Sequence, residues 1–73
     1  MNLSLAPLGV PMKINKVRLK GEQKTQLANM GFVEDSELMA VSENAGNIIV
    51  NIKGSRVGIG KELAMRIMIA PSE

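Results

Sequence analysis

The chain has 73 residues, with nine basic and seven acidic side chains, a formal charge of +2, and neither cysteine nor histidine. That length holds one domain at most, residues 1–73, with a core near the lower limit of independent stability. The missing residue types exclude a disulfide staple, the usual transition-metal ligands and a histidine general base.

The charge is too slight to mark a nucleic-acid protein by itself. The 45% apolar content belongs to a folded chain rather than a disordered one. No apolar run is long enough to span a membrane. Met1–Val10 has no basic side chain and carries Pro7, so it does not read as a signal peptide. A soluble cytoplasmic protein is expected, without membrane insertion.

The lead-in, Met1 to Pro11, alternates Leu3 and Leu5 with small or polar residues, which suits a short edge strand broken by Pro7, Gly9 and Pro11. Met12–Lys20 reads as a strand whose alternation changes phase. Met12 and Ile14 share one face, and Val17 and Leu19 share one, but the two pairs are an odd number of residues apart. A straight strand would send them to opposite sides. A bulge or bend near Asn15-Lys16 realigns them.

Gly21–Met30 reads as a helix, with Glu22 at the positive end of its dipole and Leu27 and Met30 on one inward face. Leu27-Ala28-Asn29-Met30-Gly31-Phe32 then reads as a helix end. Gly31 can take the positive φ of a left-handed turn, which returns the Phe32 N–H to the Leu27 carbonyl and brings both side chains together. Phe32 is the single aromatic residue of the chain and is expected at the centre of the core.

Val33–Ser36 is a turn in which Asp35 tolerates unusual backbone angles. Glu37–Glu43 and Ile48–Lys53 are strands joined by the hairpin loop Asn44–Asn47. Gly54-Ser55 turns into a short strand, Arg56–Ile59. Lys61–Met65 is a single helical turn, and Arg66–Ala70 is the last strand, ended by Pro71. Five or so short strands with tight turns and an inserted helix predict a small closed barrel, mainly β, since closure removes exposed edges. The expected core is Ile14, Val17, Leu19, Leu27, Met30, Phe32, Leu38, Val50, Ile52, Val57, Ile59, Leu63, Ile67 and Ile69.

The stretch Leu27-x-x-Met30-Gly31-Phe32, then Leu38-x-x-Val41, a glycine-bearing loop, Ile48-x-Val50-x-Ile52-x-Gly54, Val57-Gly58-Ile59 and Ala64-x-x-Ile67-x-Ile69 resembles the FeoA family. The likeness runs from about Leu3 to Ile69. Glu34-Asp35 stands where the family commonly has Pro-Gly, and Gly60 where arginine is frequent. The resemblance implies an SH3-like β-barrel, the fold that also closes DtxR-type repressors. It implies a role in ferrous iron homeostasis, with transition-metal binding known at the level of the family. It implies a partner as well, the cytoplasmic GTP-binding domain of the FeoB membrane transporter.

Lys16, Arg18 and Lys20, with Lys13 and Lys24 nearby, form a basic face on the first strand. As an alternative function that face would make the chain a small-barrel nucleic-acid-binding or regulatory module, docking phosphates or an acidic partner surface, and as a plain surface it is the solvated side of a half-buried strand. The single ring leaves no stacking platform for single-stranded nucleic acid, so no nucleic acid is expected. The methionines sit in apolar patterns as core filler, with Met39 and Met68 on the less apolar faces. Glu34, Asp35 and Glu37 fit a solvated turn without a fixed ligand loop. No nucleophile, base and oxyanion donor occur together, so no catalytic, cofactor or metal residue is assigned. An SH3-like barrel binds through exposed apolar grooves, and the Leu27–Phe32 corner is placed beside one. Lys24, Met39, Lys53 and Arg56 are assigned as partner contacts. A weak homo-oligomer is also compatible with so small a domain.

Overall fold

The computed structural model describes residues 1–72. A 3-10 helical turn, Leu3–Leu5, precedes strand β1 (Pro11–Val17), helix α1 (Gly21–Asn29), strands β2 (Glu37–Asn44), β3 (Asn47–Ile52) and β4 (Ser55–Gly60), the four-residue helix α2 (Lys61–Ala64) and strand β5 (Ile67–Pro71). The strands form one antiparallel sheet in the order β4-β3-β2-β1-β5. It is a mainly β fold with one inserted helix and a helical turn before the last strand.

The helix end follows the expected chemistry. The Gly31 φ is 104°. The Phe32 N–H donates to the Leu27 carbonyl at 2.9 Å and the Gly31 N–H to that of Ala28 at 3.0 Å, the paired bonds of a Schellman motif. Leu27 and Phe32 are both buried, Phe32 to 1% exposure. Met30 is the exception to the predicted inward face. It is the residue that caps the helix just before the chain reverses, and it stays 41% exposed.

From Phe32 the chain is stitched straight onto β1. The Asp35 N–H donates to the Ile14 carbonyl at 2.8 Å, and the Ile14 N–H to Ser36 at 2.9 Å. Asp35 takes φ 74° there. The β1–β5 register shifts between Ile14 and Lys16, where the apolar phase changes, so Met12, Ile14 and Val17 are all buried. A second shift falls in β2 between Ala40 and Ser42.

Both hairpins turn on two residues. Ala45 and Gly46 have φ of 50° and 84°, and Lys53 and Gly54 of 53° and 76°. Positive φ at both central positions is the signature of the type I′ turn, whose twist matches that of the strands. The loop predicted over Asn44–Asn47 is therefore shorter, with Asn44 and Asn47 paired across the strands.

The core is one cluster drawing on every strand, on α1 and on α2. Leu19, Val57 and Leu63 pack against it half-buried, and Leu3, Met12, Ala40, Ile48 and Ala64 join it. The lead-in departs from the predicted edge strand. Asn2 Oδ1 accepts the Ser4 N–H at 2.9 Å and starts a helical turn, which plugs Leu3 into the core and leaves Leu5 69% exposed. The ladder itself is not closed. Among the described residues β4 and β5 are not paired, and α2 links them instead.

Three stability measurements follow, each read from urea unfolding. Phe32→Ala costs about 3–5 kcal/mol, the range for a buried ring. Gly31→Ala costs about 1–3 kcal/mol, because the new Cβ meets Lys53 Cδ at 3.3 Å as well as the wrong backbone region. Ala45→Asn, which places Asn-Gly in a type I′ turn, stabilises by about 0.5–1 kcal/mol.

Candidate partner-binding site

The sheet has two edges, and the chain treats them differently. On β5 the Ile69 N–H donates to the Met1 carbonyl at 2.7 Å, and Asn2 pairs with Met68. The first residues thus cover that edge. On β4 the type I′ turn makes Ile52 and Ser55 a hydrogen-bonded pair, and such pairs alternate along an antiparallel ladder. The register Val50 to Val57 and Ile48 to Ile59 then turns Ser55, Val57 and Ile59 toward β3. The N–H and C=O of Arg56 and Gly58 face away from it.

Helix α1 lies across from this edge, with space left between. At the hairpin end a groove of about 320 Å³ is walled by Ala28, Asn29 and Met30 on one side and by Lys53, Ser55 and Val57 on the other. At the opposite end a groove of about 690 Å³ runs from Leu19 and Gln23 to Gly60, Leu63 and Arg66. The floor is half-buried and apolar (Leu19, Ala28, Val57, Leu63). The exposed charged residues that line the two grooves are mostly basic, Lys53, Lys61 and Arg66, with Glu62 as the acid, and Arg56 is exposed beside them on β4. Lys61 Nζ is 2.9 Å from Glu43 Oε2, both side chains about half exposed. No polar or charged side chain is buried among the described residues.

Of the four assigned contacts, Lys53 and Arg56 share the β3–β4 hairpin beside the smaller groove. Arg56 Nε donates to Asn51 Oδ1 at 3.4 Å. Lys24 is exposed on α1 and lines a third hollow with Val17, Phe32 and Glu34, which shares only Ala28 with the first. Met39 is half-buried in the middle of β2, between Pro11 and Asn51, and lines none of these grooves. The predicted basic stripe is split. Lys16, Arg18 and Lys20 are exposed, but β1 ends at Val17, so only Lys16 stands on the strand. The larger groove escaped the sequence reading because it joins residues from four separate segments. Its one local signal was Gly60, the lining member of the glycine pair Gly58 and Gly60 that reads as close backbone approach. That approach is real at Gly58, where a Cβ would lie 3.3 Å from Ile49 Cδ1.

Among the described residues, no group of three or more acidic side chains is placed to hold a metal ion, and no helix is long and apolar enough to cross a membrane. The model of the FeoA domain matches residues 1–71. The chain belongs to the FeoA family. It is 31% identical over 71 residues to a protein of Methanocaldococcus jannaschii named as an Fe(2+) transport protein A, covering 97% of this chain and 87% of that one. The solution structure of iron(II) transport protein A from Clostridium thermocellum superimposes with a TM-score of 0.88 at 29% identity, over 94% of this chain. This chain spans 44% of that structure's length. The FeoA of Stenotrophomonas maltophilia, crystallised with zinc and described as a prokaryotic SH3 domain protein, gives a TM-score of 0.82 at 21% identity, covering 96% and 89% of the two chains. That likeness establishes the SH3-like fold alone.

As a FeoA domain the chain is a ferrous iron transport accessory whose exposed ion pair adds little to its fold. Lys61→Ala changes the unfolding free energy by less than about 1 kcal/mol, measured by urea denaturation at low salt.

Proposed function

We propose that this chain, acting as one domain over residues 1–73, is a non-enzymatic cytoplasmic accessory of ferrous iron transport. It docks on the cytoplasmic GTP-binding domain of an FeoB-type membrane transporter. The observation that carries this reading is the family match over residues 1–71. An apolar-floored, basic-rimmed groove system beside α1 adds a surface suited to a protein partner. An interface of this kind draws affinity from an apolar centre and on-rate from its charged rim.

Lys53 acts at the rim, Arg56 beside it on the same hairpin, and Met30 at the apolar wall. Lys24 and Met39 contribute only if the partner also reaches the neighbouring faces. The charges on β1 and its exit serve solubility in this reading.

Calorimetric titration against the soluble domain of an FeoB-type transporter, with and without guanine nucleotide, tests the proposal. Saturable binding is expected with Kd at or below about 100 μM, a range weak transient partners still reach. The paired change Lys53→Glu with Arg56→Glu weakens it about tenfold or more, chiefly in association rate and most clearly at low salt. Absence of binding in every nucleotide state overturns the proposal.

A further inference from the structure

The groove between α1 and β4 has the shape and chemistry of a strand acceptor. Ser55, Val57 and Gly60 of β4 line its two ends, and between them the free edge of the strand carries two N–H and two C=O groups, those of Arg56 and Gly58, that the β3 register turns outward. None of the four has a backbone partner among the described residues. Exposed sheet edges are ordinarily blunted by proline, bulges, inward charges or a covering segment. Here β5 is covered by Met1 and Asn2, whereas β4 has no bulge in its register and carries glycine at two of its six positions. Gly58 offers no side chain to screen its own amide and carbonyl.

We infer that an extended, acidic segment of the partner protein enters between α1 and β4 and adds as a sixth strand on Arg56–Gly58. This deepens the docking reading and rests on it. Main-chain bonds to Arg56 and Gly58 fix the segment's register, as in other peptide sites built by strand addition. Alternate side chains of the segment reach the apolar floor at Val57 and Leu63. The side chains between them meet Lys53 and Arg66 at the rim. Lys61 is already matched by Glu43, so among the described residues lining the grooves Glu62 is the single acid set against two remaining cations, Lys53 and Arg66, with Arg56 adjacent on β4. That imbalance selects acidic over basic segments. It also disfavours a second copy of this chain, whose β4 would bring its own Arg56 into the same positive surroundings.

Proline at position 58 separates this inference from docking in general. Its ring removes the outward amide while leaving the β3 ladder intact, the placement in which edge strands accept proline. Gly58→Ala adds the same Cβ against Ile49 and keeps the N–H. In the titration with the transporter domain, Gly58→Ala is expected to bind within about threefold of the original and Gly58→Pro about tenfold or more weaker. Circular dichroism and melting of the two variants serve as the fold control. Equal binding by both variants overturns strand addition and leaves docking standing.

If the transporter domain does not bind at all, the docking reading falls, and the acceptor is tested alone. The isotope-labelled protein is titrated with the capped peptide Glu-Val-Asp-Val-Glu-Val to about 1 mM. Downfield shifts and slowed exchange at the Arg56 and Gly58 amides are expected, weaker with lysine in place of the acids. Unmoved amides overturn the acceptor. If instead the same amides move with protein concentration before any peptide is added, the occupant is a second copy and the partner assignment is overturned.

Discussion

The architecture depends on the reversal at the end of α1. A helix leaves its last carbonyls without partners. Here the Leu27 and Ala28 carbonyls are answered by the next chain turn, the Phe32 and Gly31 N–H groups. The same two bonds aim the ring of Phe32 into the centre of the sheet. Everything the helix does afterwards, including its stand-off from β4, is set by where that corner anchors it. With nine residues it is too short to persist without such an anchor.

Phase changes do for the strands what the corner does for the helix. The shift after Ile14 lets β1 turn while Met12, Ile14 and Val17 keep facing inward. The shift at Val41 ends the buried part of β2, and beyond it Ser42, Glu43 and Asn44 are exposed. Bulges of this kind bend a small sheet until it encloses its own core. They leave β4 and β5 apart, with α2 across the gap.

The parts of the fold that were legible in the sequence are those fixed by neighbours in the chain. The glycine-aromatic corner, the phase change in β1, the alternation of Ile48, Val50 and Ile52, and the turn before β5 all carry local signals, and all are found. Those that were not legible depend on distant segments meeting. Leu3 is buried because a helical turn folds it onto the core, which two alternating leucines do not disclose. Met30 has the spacing of a buried residue but sits on the last, outward step of the helix. The grooves were anticipated only beside the corner, through Lys53 and Arg56. The edge of β4 became readable once the two-residue turn had fixed which backbone groups face β3.

The two tight hairpins also bear on how the chain reaches this state. β2, β3 and β4 meet across loops of two residues, Ala45-Gly46 and Lys53-Gly54, whereas β1 finds β5 across a span of at least 50 residues, from Val17 to Ile67. Closing a long span sacrifices more chain freedom before any contact rewards it. The central meander is therefore the natural nucleus and the terminal pairing a late event. Damage to the nucleus slows folding, and damage to β5 hastens unfolding.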